Sequence, residues 1–263
     1  ISKLAQFYGI GCHVDACLGG FIIPFAEDIG LDLPLFDFRL DGVTSISADL
    51  HKYGMSEKGY SAILFKDFHN YGKYATFKDL SSLMGMYLSQ GLEGSRPARV
   101  DAWTTMMKFG RSTYVDNLKK MIQIKNEIVD CVDIAIPSIK ISGTPLLTVF
   151  AIRSSDPKVN AMLVASHMKN KGWIINGLPE PEGFHFCITP MQINYNSIAM
   201  DFTNDLMESV KRAFTNPDEK PTGQLGMYDT IRDKVPTQLI KGPLLNEIGD
   251  TYLHIITSAR KQY

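Results

Sequence analysis

Residues 43 to 65 constrain this chain most. VTSISA (43–48) alternates polar and apolar side chains, SAILF (61–65) does the same, and HKYGMSEKGY joins the two. Alternation is the signature of strands with one buried face, so two strands flank a turn carrying Asp49, His51 and Lys52. Upstream, GCHVDACLGGF holds a short apolar core ending in a glycine pair, as a strand does where it hands over to a loop, and its end carries Asp15. Open α/β sheets bind ligands in the crevice at the carboxyl ends of their strands. Two strands of the same polarity, one ending at Asp15 and the other just before Lys52, direct both side chains into one such crevice. Taken singly, each has a plainer reading: Asp15 as a turn or helix-cap aspartate, Lys52 as a solvated charge.

The chain's other segments organise around that core. ISKLAQFYGI reads as the last turns of a helix, with Ile1, Leu4 and Ala5 on one face. A chain that opens in mid-element without a methionine is expected to be the later part of a longer protein. From Lys78 the pattern turns helical, and VDAWTTMMKFGRSTYVDNLKKMIQIKNEIVDCV (100–132) spaces its apolar residues by three and four, predicting a long helix. Beyond about residue 135, IKIS, LLTVFAI, GWIIN and FHFCIT read as strands alternating with helices at 158–171 and 197–214, an α+β arrangement. A polar loop, TNPDEKPTG (215–223), precedes one last helix toward Tyr263.

Bulk properties remove several classes of function. With 27 basic against 28 acidic residues and no basic run, the 263-residue chain has no nucleic-acid footprint. Its longest apolar stretches, such as LLTVFAI, fall short of the roughly 20 residues that span a bilayer. Cys12, Cys17, Cys131 and Cys187 have neither zinc-ligand nor disulfide-framework spacing and are expected to be free thiols.

An amine beside a carboxylate has a specific chemical meaning. Pyridoxal phosphate needs an amine to hold its aldehyde and an anion against its ring nitrogen, because the protonated ring is the electron sink for carbanion chemistry. Lys52 and Asp15 supply both. The segments HVDACLGGF, FDFRLDGVTSISADLHKYG, KGYSAILF and GSRPAR resemble the sphingosine-1-phosphate lyases, within the group II decarboxylase-like family of pyridoxal-phosphate enzymes. HVDA and HK alone mark only the superfamily, whereas DFR, GVTSISAD, HKYG and a second lysine before glycine are specific to the lyases. The likeness is dense over residues 1–115 and returns at TGQLGMYD.

The resemblance implies an α/β chain: residues 1–130 as the later part of the large domain of a fold-type I enzyme, and 131–263 as a smaller α+β domain. It implies pyridoxal 5'-phosphate as cofactor, with Lys52 on its aldehyde, His51 close to its phosphate, Asp15 and His13 of the HVDA motif at its ring, and Cys17 against the ring face. A buried core thiol is the plainer reading of Cys17. Gly94 and Ser95 match a segment that reaches the cofactor phosphate of a neighbouring subunit, implying a homodimer, with Arg96 beside them either helping or facing solvent. Lys58 matches a lysine near the substrate phosphate, and Tyr228 a tyrosine that closes over the site. The implied activity is cleavage of the C2–C3 bond of a phosphorylated sphingoid-base lipid, placing the chain in sphingolipid metabolism. Amino-acid decarboxylation, or an inactive homologue serving dimerisation or lipid binding, are the alternatives. The family's stacking histidine and phosphate cradle are expected upstream of residue 1, as is any membrane contact. The compartment is left open between cytoplasm, endoplasmic reticulum membrane facing the cytosol, and export from a bacterium into a host cell.

Overall fold

The computed structural model describes residues 1–67, 96–179, 181–223 and 225–226. Its chain divides into two units. One comprises Ile1–Lys125, Leu146–Thr148 and Ile188–Asn196; the other comprises Asn126–Pro145, Val149–Cys187 and the residues from Ser197 onward.

In the first unit, helix α1 (Ser2–Phe7) precedes strand β1 (His13–Asp15), and three single 3-10 turns lead toward β2 (Ser45–Ala48) and β3 (Ala62–Phe65). β1 and β2 run parallel with His13 opposite Ser45 and Asp15 opposite Ser47, and β3 returns antiparallel to β2. The expected alternation holds in β2: Ile46 and Ala48 are buried, while Ser45 and Ser47 are half-buried. Ile46 joins Ala16 and Val43 in a core that Phe36, Phe38 and Leu40 complete. Because side chains of a strand alternate between faces, His13, Asp15, Ser45 and Ser47 share the other face.

The long helix forms as α2 (Arg96–Ala135) but is broken once, at Gly110, whose φ of 65° and ψ of 170° are not helical. The periodic spacing passes straight through this residue, so periodicity alone predicted an unbroken helix. Glycine tolerates the left-handed φ that a side chain would resist.

The second unit is α+β, as its sequence rhythm suggested. Strands β4 (Ile139–Ile141), β5 (Val149–Ser154), β6 (Ile175–Pro179) and β7 (Glu182–Cys187) form an antiparallel sheet in the order β4-β5-β7-β6. Helix α3 (Ala161–Asn170) is buried along its first eight residues, which explains why AMLVASHM lacks a polar face. Asn160 caps it, its side chain accepting from the Leu163 amide at 2.9 Å. Helix α4 (Ile198–Thr215) is amphipathic and buries Phe202, Leu206 and Val210. Phe186 and Phe202 stack 4.9 Å apart, with Trp173 edge-on to both. LLTVFAI enters the sheet only at Val149, because Leu146–Thr148 belongs to the first unit, where the Thr148 hydroxyl donates to Tyr53 Oη at 2.8 Å. The start of the helical pattern, from Lys78 to residue 95, and the whole of the last predicted helix lie outside the described residues.

Candidate active site at the strand ends

Register places the first group of site residues. The imidazole of His13 lies 2.8 Å from Ser45 Oγ and 3.3 Å from Ser47 Oγ, and Ser47 Oγ in turn donates to Asp15 Oδ1 at 3.1 Å. Oδ1 also accepts the Cys17 amide at 3.0 Å, a turn that carries the chain from β1 into the next loop. The turn-aspartate reading of Asp15 is therefore correct as far as it goes. Both of these bonds fall on one oxygen, however, and the residue as a whole remains exposed. Hydrogen bonds from Cys17, and then from Ser47, hold the carboxyl below the usual carboxylate range against the opposing effect of burial. Asp15 is thus a fixed, ionised carboxylate at a strand end.

Lys52 sits in the turn that follows β2. Its Nζ donates to Cys17 Sγ at 3.1 Å and forms an ion pair with Asp49 Oδ2 at 2.8 Å. Cys17 is thereby bonded through its backbone to Asp15 and through its sulfur to Lys52, joining the two strand ends. Partial burial opposes the charge on the amine, but its contacts with Asp49 and Cys17 outweigh that, and Lys52 titrates above the ordinary lysine value. Burial pushes the Cys17 thiol up.

His51 is anchored differently: Nδ1 lies 2.6 Å from the Tyr60 carbonyl oxygen, so that nitrogen carries the proton and Nε2 is left as the acceptor in the neutral ring. His51 Nε2 is 4.0 Å from Asp49 Oδ2.

The backbone of this turn is fastened by residues distant in sequence. The buried Tyr53 hydroxyl donates to the Ile188 carbonyl at 2.7 Å, and the Tyr114 hydroxyl donates to the Gly54 carbonyl at 2.9 Å. Gly54 packs so closely on the turn that a Cβ there would lie 2.5 Å from the Leu50 oxygen. Met55 follows with a φ of 62°, a left-handed conformation that costs a non-glycine residue energy and persists only where the surroundings impose it.

The structure thus brings together His13, Asp15, Cys17 and Lys52, with His51 adjoining. Lys58 lies exposed in the loop before β3. Gly94, Ser95 and Tyr228 lie outside the described residues, as does the Arg96 side chain. Asp49 was not singled out from the sequence, although its spacing of three from Lys52 across a turn was a signal. Among the described residues no cluster of acidic, histidine and cysteine side chains is arranged to hold a metal ion, and no helix is long and apolar enough to cross a membrane. All four cysteines are free.

An exposed, ionised carboxylate and a partly exposed amine, linked through one thiol, fit the donor set that a pyridine ring bearing an aldehyde requires. No family model matches the chain. It is 38% identical over 265 residues to sphingosine-1-phosphate lyase 1 of Rattus norvegicus, an alignment that covers 98% of this chain and 44% of the rat protein. Among solved structures, the sphingosine-1-phosphate lyase of Burkholderia pseudomallei superposes with a TM-score of 0.66 at 31% identity, covering 82% of this chain and 49% of that one. An Oryza sativa TDC solved with PLP and tryptamine superposes with a TM-score of 0.59 at 13% identity, covering 81% and 47%, and shares the fold alone. The fold is therefore that of part of a fold-type I pyridoxal-phosphate enzyme. The chain spans about half the length of the relatives it matches.

Proposed function

We propose that this chain, a relative of the sphingosine-1-phosphate lyases along nearly its whole length, carries the lysine side of a pyridoxal-phosphate site that cleaves the C2–C3 bond of phosphorylated sphingoid bases. The products are a long-chain aldehyde and phosphoethanolamine. The observation that supports this most directly is the bonded path from Asp15 through Cys17 to Lys52.

When bound, the cofactor supplies an electron sink for the pair released as the carbon–carbon bond breaks. The chain's own residues do the rest. Lys52 presents the amine for the aldehyde. Asp15, ionised and held by Ser47, would hold the ring nitrogen and supply the anion that keeps it protonated, while His13 braces Asp15 through the same serine. His51, its ring fixed by the Tyr60 carbonyl through Nδ1, would bind the cofactor phosphate with Nε2 protonated, as a donor. Cys17 fills the space against the ring with a small polarizable atom. Lys58, an exposed point cation, binds the substrate phosphate. Tyr228 would relay a proton or bind the substrate phosphate, and Gly94 and Ser95 would reach the cofactor phosphate of a second copy in a homodimer; these three carry over from the likeness in sequence alone.

The assignment is tested by loading the protein with pyridoxal phosphate, reducing with borohydride and mapping peptides by mass spectrometry. A phosphopyridoxyl group on Lys52 is expected, and label on another lysine overturns the reading. Release of long-chain aldehyde from a sphingoid-base phosphate, rather than of carbon dioxide from an amino acid, separates the lyase from the decarboxylases that share its fold.

A further inference from the structure

One charged side chain of the site has no role in that reading. Asp49 directly follows the buried Ala48 where β2 gives way to the turn, is 1% exposed and so breaks the alternation of the strand. Burying a carboxylate costs several kcal/mol unless it is paired and hydrogen-bonded, so such a group is kept where its partners need it. Asp49 is held by one side-chain hydrogen bond on Oδ1 and by an ion pair on Oδ2, which accepts no other hydrogen bond among the described residues. Ser61 Oγ donates to Oδ1, Lys52 Nζ lies 2.8 Å from Oδ2, and its own amide donates to the Cys17 carbonyl at 3.1 Å. It therefore touches both ends of the Cys17–Lys52 contact: the backbone of one residue and the amine of the other.

We propose that Asp49 is the positioning residue for Lys52, holding its amine at the site as an ammonium and setting the pH at which that amine becomes a nucleophile. The charged and titratable groups around this amine are Asp49, Cys17 and His51, with Asp15 behind Cys17. Cys17 is a neutral acceptor whose thiol is pushed up by burial, and His51 is turned to the Tyr60 carbonyl. Asp49 is therefore the anion in direct contact with the lysine. The functional consequence rests on the reading of Lys52 as the aldehyde-binding amine. An incoming substrate ammonium loses a proton before it attacks, and a departing lysine gains one. Were the cofactor bound, the ion pair with Asp49 would hold a released Lys52 as an ammonium, which is not a nucleophile, the proton coming from the substrate ammonium so that none is gained or lost overall.

The test does not need the reaction. In cofactor-free protein, Lys52 is trace-labelled with acetic anhydride across a pH series and quantified by peptide mass spectrometry, with exposed lysines of the same digest as reference. The wild-type midpoint is expected above the ordinary lysine value. In Asp49→Asn, burial acts on the amine without the anion, so the midpoint falls below that value, and labelling near pH 9 rises about tenfold for each pH unit of displacement. Asp49→Glu, which keeps the charge, restores the direction of the wild type. An Asp49→Asn protein with native circular dichroism and an unmoved Lys52 midpoint overturns the proposal. Should that variant not fold, a wild-type midpoint at or below the ordinary lysine value overturns it instead. Borohydride labelling elsewhere than Lys52 would defeat the proposed function and leave this outcome untouched, so the two failures are distinguishable.

Discussion

The site turns on which charges are held and which are free to act. Asp15 is held ionised by hydrogen bonds from Cys17, through its side chain and its amide, and then from the Ser47 hydroxyl. Replacing it by asparagine keeps the shape and removes the anion. With the proposed cofactor loaded, Asp15→Asn should lower turnover by roughly two orders of magnitude or more, the scale on which a charge aimed at the reacting system acts, while the Lys52 adduct still forms; steady-state rates and borohydride mapping on the same preparation check both. The pH dependence of stability has a definite sign. Lys52 titrates above its unfolded value, so the stabilisation from its ion pair is complete below that value and is lost as pH rises through the folded one. Lys52→Met should therefore flatten the alkaline limb of a denaturation series near and above pH 10 while changing the acid limb little. Asp15 and Lys52 were legible in the sequence because each stands at the end of a recognisable strand. Asp49 was not, because an acid in a turn between two strands looks solvated, and the alternation of β2 would have placed it with Ser45 and Ser47; only the turn's own path buries it against Ser61 and Lys52.

Elements explain why the turn holds a single shape. HKYG is tied to distant segments through Tyr53, which meets Ile188 and Thr148, and through Gly54, whose carbonyl accepts from Tyr114; neither tie can be read from local sequence, since all three partners are far along the chain. Tyr53→Phe leaves the Thr148 hydroxyl without its acceptor and the Ile188 carbonyl without its donor, all buried, and should destabilise by about 1–3 kcal/mol in urea titration. Gly54→Ala should cost at least as much, because its Cβ would meet the Leu50 carbonyl, which is backbone and has no rotamer to yield. The strands were legible through alternation and the helices through spacing. Their ends were not: a sheet takes only those residues that find a partner strand, so β5 begins where LLTVFAI leaves the first unit and pairs with β7. Gly110 shows the converse, since a helix pattern records which face is buried and contains no sign of a left-handed residue within it.

At the scale of the whole molecule, the candidate site residues and the aromatic cluster of Trp173, Phe186 and Phe202 belong to different units, and that separation can be measured. Trp173 donates through its indole N–H to Asp205 at 2.8 Å and packs on Phe186 and Phe202, all in the second unit, whereas Trp103, the other of two tryptophans, is exposed in the first. A Trp103→Phe background thus makes fluorescence a reporter of the second unit alone. Phe202 is fully buried between strands and helices, so Phe202→Ala removes a ring from a close-packed core and should cost about 3–5 kcal/mol. In that background its fluorescence transition is expected to move to lower denaturant, ahead of the loss of total helical signal, because chains with two cores need not unfold in one step. The acetylation midpoint of Lys52 should meanwhile stay where it is in the parent, since the groups that set it, Asp49 and Cys17, both lie in the first unit. If the Lys52 midpoint instead shifted with the fluorescence transition, the ion pair would depend on the aromatic core as well as on its own turn, and the two units would have to be treated as one cooperative structure.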